Sequence, residues 1–169
     1  KLFSENKFDY VFHLGELVGH YRCEKDKDLT RAINYIGTKN IFDFAMKQGA
    51  LFVCNSSSSV YGTREDADDI LKEDAELFTE GLDTYCVNKL LTEKYMVNEG
   101  DKNKDFKFII LRPATVGGLS PRMRLTLLPN HFTYAAVIQK KLSLTQPNNY
   151  RAIIDINDMI ESYMAMLNA

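Results

Sequence analysis

Ala50-Leu51-Phe52-Val53-Cys54-Asn55-Ser56-Ser57-Ser58-Ser59 begins as an unbroken apolar run and opens into amide and hydroxyl side chains. A run that short, apolar at every position rather than at alternate ones, predicts a strand covered on both faces, and such strands belong to parallel sheets. Two stretches share its character: Phe8 to Leu14, running into Gly15, and Phe106 to Arg112, closed by Pro113. Between them lie two segments with helical spacing. Leu29 to Gln48 carries Leu29, Ile33, Ile36 and Phe44 and is stopped by Gly49, and Thr84 to Glu99 has Gly100 as its expected C-cap. Strands alternating with amphipathic helices predict an α/β fold, a Rossmann-like doubly wound parallel sheet. Such sheets collect ligands at the carboxyl ends of their strands, here Leu14-Gly15, Asn55 to Ser59, and Arg112 to Thr115.

The rest of the chain is less regular. Residues 63–83 are acidic and polar and read as a surface excursion. Pro129 opens a helix expected to run through Gln139, Leu142 to Thr145 and Tyr150 to Asp155 read as short strands, and Asn157 to Leu167 as a last helix. No internal repeat interrupts this order.

The bulk composition narrows the function classes. At 169 residues, 45% apolar and 26% charged with a formal net charge of -2, the chain resembles an ordinary globular protein. A near-neutral balance with no basic stripe gives no footprint for nucleic acid. The longest apolar runs are strand-sized, too short to span a bilayer, and no charged leader with an apolar core opens the chain. Cys23, Cys54 and Cys86 are odd in number and unrelated in spacing, which fits neither a disulfide framework nor a metal site. They point to a reducing, cytoplasmic setting, with the thiols as small core residues. His13, His20 and His131 have no metal-like spacing either, and no metal site is expected.

The chemistry is carried by Tyr85-Cys86-Val87-Asn88-Lys89, which sets a phenol and an ammonium four residues apart on one helical face. A free tyrosine titrates at about 10 and is a poor base near neutrality; a neighbouring cation favours the phenolate and makes it usable. Spacing alone does not single this pair out, because Tyr21/Lys25 and Tyr35/Lys39 share it. Context does: only Tyr85 follows a serine cluster at a strand end and precedes another apolar strand ending in Arg112-Pro113.

With those residues in view, the chain resembles the extended short-chain dehydrogenase/reductase superfamily, the NAD-dependent epimerases and dehydratases of nucleotide sugars. The similar stretches follow one another in order: Val11 to Leu14, Asn34 to Thr38, Ser56 to Gly62, Tyr85 to Lys89, Leu111 to Val116, and Arg151 to Asp158. The resemblance implies Ser57, Tyr85 and Lys89 as the catalytic set, with Ser58 as the fallback for Ser57. Ser57 would hold the reacting hydroxyl, Tyr85 would take and return its proton, and Lys89 would bind the nicotinamide ribose and depress the Tyr85 pKa. It implies cofactor contacts at Leu14, Gly15, Glu16, Asn34, Asn55, Ser56 and Ala114, besides Tyr85 and Lys89. It implies substrate contacts at Thr115, Asn130 and Arg151, besides Ser57 and Tyr85; an arginine suits a diphosphate through paired hydrogen bonds. Glu16 departs from the family, which has small residues there, and an acid beside a diphosphate is unfavourable unless it turns away.

The expected cofactor is NAD or NADP and the expected partner a nucleotide-diphosphate sugar, with a homodimer formed through helices 29–48 and 84–99. Nucleic acid and membrane are not expected partners. Epimerisation is the favoured reaction. Dehydratase and reductase activities of the same family stay open, as does a non-catalytic NAD(P)-binding scaffold. The glycine-rich phosphate fingerprint is not found, and Phe8 to Leu14 resembles the family's fourth strand. The chain therefore reads as the central piece of a longer protein, with on the order of 60 residues expected upstream at about 30 per βαβ unit. Residues 1–115 are expected as part of a dinucleotide-binding domain and residues 116–169 as part of a substrate-binding region.

Overall fold

The computed structural model describes residues 2–62, 71–77, 79–145, 147 and 150–167. Part of the expected acidic excursion, residues 63–70 and 78, lies outside them. The described residues fall into two compact units, one made by 2–62 with 71–112 and the other by 113–167.

The first unit contains a short α1 (Leu2–Glu5), β1 (Tyr10–His13), α2 (His20–Lys25), α3 (Lys27–Thr30), a π-helical stretch (Arg31–Gly37), α4 (Thr38–Gln48), β2 (Leu51–Asn55), a 3₁₀ turn (Ser58–Tyr61), α5 (Thr84–Lys102) and β3 (Phe108–Leu111). The three apolar runs form one sheet in the order β1-β2-β3, all parallel, with Phe12 opposite Val53 and Val53 opposite Ile109. β1 and β3 are shorter than the apolar runs that predict them, whereas β2 matches its run in length and is shifted by one residue.

Packing explains why the strands are apolar throughout. Phe42, Ala45, Ala50, Phe52, Cys54 and Met96 form a buried cluster. Phe42 lies at its centre, edge-on to Phe52, Phe106 and Phe108 with ring centroids 5.3, 5.2 and 5.5 Å away. Such aromatic pairs add to the stabilisation from area burial alone.

The helix expected over 29–48 is not one regular helix, because its middle widens into the π stretch. A physical reason lies in which residues are buried: Thr30, Asn34, Thr38, Phe42 and Ala45. In an α-helix, residues four apart drift about 40° around the axis. A π turn, with its i→i+5 bonding, is wider and takes that drift back. The widening thus keeps Thr30, Asn34, Thr38 and Phe42 on one face. The apolar stripe that marks this segment in the sequence (Leu29, Ile33, Ile36 and Phe44) is exposed.

Gly49 ends α4 in the left-handed region at φ 71°, its N–H bonded to the Ala45 and Met46 carbonyls. Gly100 is not the expected cap, since α5 runs on to Lys102. A Cβ there would come within 2.8 Å of the Phe108 ring, so glycine serves the close approach of α5 to β3. The other end of α5 is capped twice: the Asp83 carboxylate accepts from Cys86 N at 2.8 Å and Glu24 accepts from Thr84 N at 2.6 Å. Tyr21 lies in α2 and is exposed.

The second unit contains β4 (Thr115–Gly117), α6 (Leu128–Tyr134), a π stretch (Ala135–Gln139), β5 (Ile153–Asp155) and α7 (Ile156–Met166). β4 and β5 pair in parallel, Val116 opposite Ile154. Added Cβ atoms at Gly117 and Gly118 would each come within 2.8 Å of a side chain, Pro129 and Ile156 respectively, so this glycine pair lets both helices approach the strand. Leu142 to Thr145 is not the strand its composition suggests: it has no ladder partner among the described residues, and its leucines face solvent. Among the described residues no helix is long and apolar enough to cross a membrane.

Phe42→Ala should cost the protein about 3–5 kcal/mol, the usual price of emptying an aromatic site in a core. Urea unfolding of the full-length variant, read as a lower midpoint with unchanged slope, measures it.

Candidate active site

β2 delivers the serine cluster. After Asn55 the chain stays in register for one more bond, Ser56 N to Leu111 O, and then turns. Ser57 is extended at φ -160° and caps the 3₁₀ turn, its Oγ accepting from Ser59 N at 3.1 Å. Tyr85 stands in the first turn of α5, where the two caps hold it, and a hydrogen bond joins its phenol to the Ser57 side chain. One turn on, the Lys89 ammonium lies 5.6 Å from the centroid of the Tyr85 ring. Ser57, Tyr85 and Lys89 therefore meet at the carboxyl end of β2.

Lys89 is buried, and its surroundings are oxygen. Its Nζ donates to the Asn55 carbonyl and forms an ion pair with Glu16 Oε2. The two side chains are only 4% and 5% exposed. Glu16 has turned away from the position that its neighbours Leu14 and Gly15 face, which are exposed. An added Cβ at Gly15 would meet nothing within 4 Å. Burial raises the Glu16 pKa, and the Lys89 charge works against that rise.

The neighbourhood acts on Tyr85 in a direction opposite to the sequence expectation. Its pKa is not depressed but pushed up to about 12, first by burial and then by the Glu16 carboxylate, with only the Ser57 hydrogen bond opposing. The physical reason is that the Lys89 charge is already answered by Glu16. Cys54 is likewise pushed up to about 12 by burial, and all three cysteines are buried and free. Burial, and then the Lys89 charge, lower the His13 pKa.

Asn34 is fully buried and braces the loop that bears Glu16. Its side chain accepts from Leu17 N at 2.9 Å and donates to Leu17 O at 2.8 Å. Its own carbonyl accepts from Thr38 Oγ1 at 2.8 Å, while Thr92 Oγ1, 3.3 Å away, donates chiefly to Asn88 O at 2.8 Å. The His13 ring lies 2.8 Å from Thr38 Oγ1, within hydrogen-bonding distance. Ser56 Oγ is buried without a hydrogen-bond partner.

Two features escaped the sequence reading. Arg112, taken only as a strand end, makes a paired contact with buried Glu93, 2.7 Å at its closest, and also bonds the Tyr61 hydroxyl and Glu73 O. The Glu93 hydrogen bonds drive the Arg112 pKa further up. The other is the Glu16–Lys89 pair. Tyr85, Lys89 and Glu93 recur every four residues on α5, and charged groups at that period in a helix packed on a sheet are the signal that was available.

The remaining residues belong to the second unit. Thr115 starts β4, its N–H donating to Ala152 O at 3.1 Å. Asn130 is buried; its amide accepts from Gly118 N at 3.2 Å and donates to Arg124 O at 3.1 Å, so both ends serve the fold. Ala114 is half-buried and Arg151 exposed. Among the described residues no group of His, Cys, Asp or Glu is placed to hold a metal ion.

Comparison with known proteins gives a consistent answer. The family described as "NAD dependent epimerase/dehydratase family" matches residues 1–169. The sterol-4-alpha-carboxylate 3-dehydrogenase, decarboxylating, of Saccharomyces cerevisiae is 25% identical over 170 residues, covering 88% of this chain and 48% of its own length. An epimerase from Methanothermobacter thermautotrophicus is 25% identical with a TM-score of 0.78, covering 98% of this chain and 49% of its own. The UDP-glucose 4-epimerase of Thermus thermophilus, solved with NAD, superposes with a TM-score of 0.81 at 20% identity, over 99% of this chain and 56% of its own. The chain thus spans about half the length of these relatives.

Asn34→Ala should free the loop at Leu17 at a cost of about 1–3 kcal/mol, the penalty for stranding buried polar groups. Amide hydrogen exchange at Leu17 should accelerate while the strand amides of β2 keep their protection.

Proposed function

The chain belongs to the NAD dependent epimerase/dehydratase family, and from that premise we propose that the whole protein interconverts a secondary alcohol and a ketone on a nucleotide-diphosphate sugar, as an epimerase. The observation that carries this reading is the meeting of Ser57, Tyr85 and Lys89 at one strand end, with the phenol bonded to the serine.

The residues present fit the ribose and nicotinamide end of NAD or NADP. Lys89 offers an ammonium, Ser56 a buried hydroxyl without a partner, and Gly15 open space where a side chain would intrude. When bound, the nicotinamide supplies the hydride acceptor and donor. The protein's own groups do the rest. Ser57 orients the sugar hydroxyl, Tyr85 takes its proton as the carbinol carbon is oxidised, and Lys89 answers the phenolate charge. On the return leg, with the keto-sugar turned over, Tyr85 would give the proton back to the sugar oxygen. Asn34 serves this site by bracing the loop at Leu17, and Arg151, an exposed guanidinium, suits the diphosphate.

The first unit also supports a homodimer. Leu29, Ile33, Ile36 and Phe44 along residues 29–48, with Val87 and Val97 on α5, leave apolar surface exposed on both helices. Two copies joined by these helices would cover it. A stable contact of this kind buries more than about 1,000 Å², and sedimentation of the full-length protein should show the dimer; a monomer at micromolar concentration would count against it.

A second reading is favoured by the yeast relative: the same three groups acting on a sterol carbinol. The readings separate in one assay. Inversion of a nucleotide sugar without net NADH formation marks the epimerase, whereas steady NADH production from a 4-carboxysterol marks the dehydrogenase.

In the full-length protein, Tyr85→Phe should lower turnover at least about a hundredfold while cofactor affinity stays nearly intact. Tyr21→Phe and Tyr35→Phe should cost little. Steady-state kinetics with a cofactor titration tests all three, and normal turnover in Tyr85→Phe would overturn the assignment.

A further inference from the structure

We propose that Glu16 is a positioning residue for Lys89, an internal counter-ion that occupies the ammonium until the ribose hydroxyls of a bound cofactor take its place. This rests on the function proposed above and adds a group to it. The geometry is specific. Glu16 sits one residue before Leu17, whose backbone is clamped on both sides by the Asn34 amide, so the loop aims the carboxylate inward. Its Oε2 pairs with Lys89, which also donates to the Asn55 carbonyl. Its Oε1 is buried, and the Thr38 hydroxyl beside the carboxylate also donates to the Asn34 carbonyl at 2.8 Å, which leaves that oxygen poorly satisfied. A buried carboxylate half-satisfied in this way is a replaceable partner: hydroxyl groups that donate and accept would satisfy Lys89 without leaving an orphaned oxygen.

The consequence falls on Tyr85. With Glu16 in place the Lys89 charge is cancelled within the pair, and the phenol, at about 12, stays protonated near neutrality. The other groups around this cluster are His13 from β1, Cys54 from β2, His20 and Cys23 from α2, and Cys86 and Glu93 from α5. Of the charges acting on the phenol, only that of Glu16 disfavours its ionisation and can be removed without changing shape, by Glu16→Gln.

Phenolate absorbance of the cofactor-free, full-length protein, taken as the difference from Tyr85→Phe in the same background, reads the Tyr85 pKa directly. Glu16→Gln should lower it by roughly one unit or more, the size of effect a charge within hydrogen-bonding range of the cluster exerts. The same variant should bind NAD about tenfold more tightly, since no carboxylate has to be displaced; tenfold is about 1.4 kcal/mol. If Glu16→Gln does not fold, Glu16→Asp, which draws the charge back by one methylene, should shift both quantities in the same direction by less. An unchanged Tyr85 titration, or NAD affinity that is unchanged or weaker, would overturn the proposal. These failures differ from failure of the function: Tyr85→Phe turning over normally removes the catalytic reading, whereas an unmoved titration beside an inactive Tyr85→Phe removes Glu16 alone.

Discussion

An ammonium taken out of water must be surrounded by oxygen, and much of the first unit serves that requirement at Lys89. Its helix is stopped from sliding by two acidic caps, its Nζ reaches the carbonyl that ends β2, and a loop from β1 brings a carboxylate to meet it. That loop is held by Asn34, whose own position depends on a widened helical turn. Desolvating two opposite charges together is expensive, and a pair of this kind seldom adds net stability compared with apolar residues of the same shape. What it secures is placement: the phenol of Tyr85 and the hydroxyl of Ser57 converge around a fixed charge.

Arg112 and Glu93 repeat the logic at the end of β3, this time with partners for four of the five guanidinium N–H groups. The contrast is informative. The Arg112 cluster is paired along most of its donors and reads as architecture. The Lys89 cluster leaves a carboxylate oxygen and the Ser56 hydroxyl unsatisfied, and a site that must exchange one set of partners for another keeps such loose ends.

The parallel sheet was legible because uninterrupted apolar runs carry their meaning locally: Phe52, Val53 and Ile109 need no partner to be read as doubly covered. The strand ends followed from the same reasoning, and they led to Ser57 and Tyr85. The charge state of the site was not legible, since it depends on Glu16, seventy-three residues from Lys89 in sequence and brought to it only by the β1–β2 pairing. Helix irregularity was hidden as well. Leu29, Ile33, Ile36 and Phe44 keep a regular period, but they lie on the exposed side, while the side that sets the geometry is largely polar. Gly100 shows a related limit: a glycine near a helix end reads as a stop, and only the ring of Phe108 reveals it as a point of contact.

The π stretch between Thr30 and Thr38 has a genetic consequence. Its extra girth acts as a phase corrector, so the length of this segment is part of its information. On a regular helix Asn34 and Phe42, eight residues apart, would stand about 80° apart; loss of one residue between them would bring them to within about 20°, whereas gain of one would set them about 180° apart. After such a gain Asn34 and Phe42 could no longer share a face, and either the loop clamp or the aromatic core would have to give way. Relatives built on this fold should therefore tolerate substitutions along the exposed side of the segment, or loss of one residue within it, more readily than a gain.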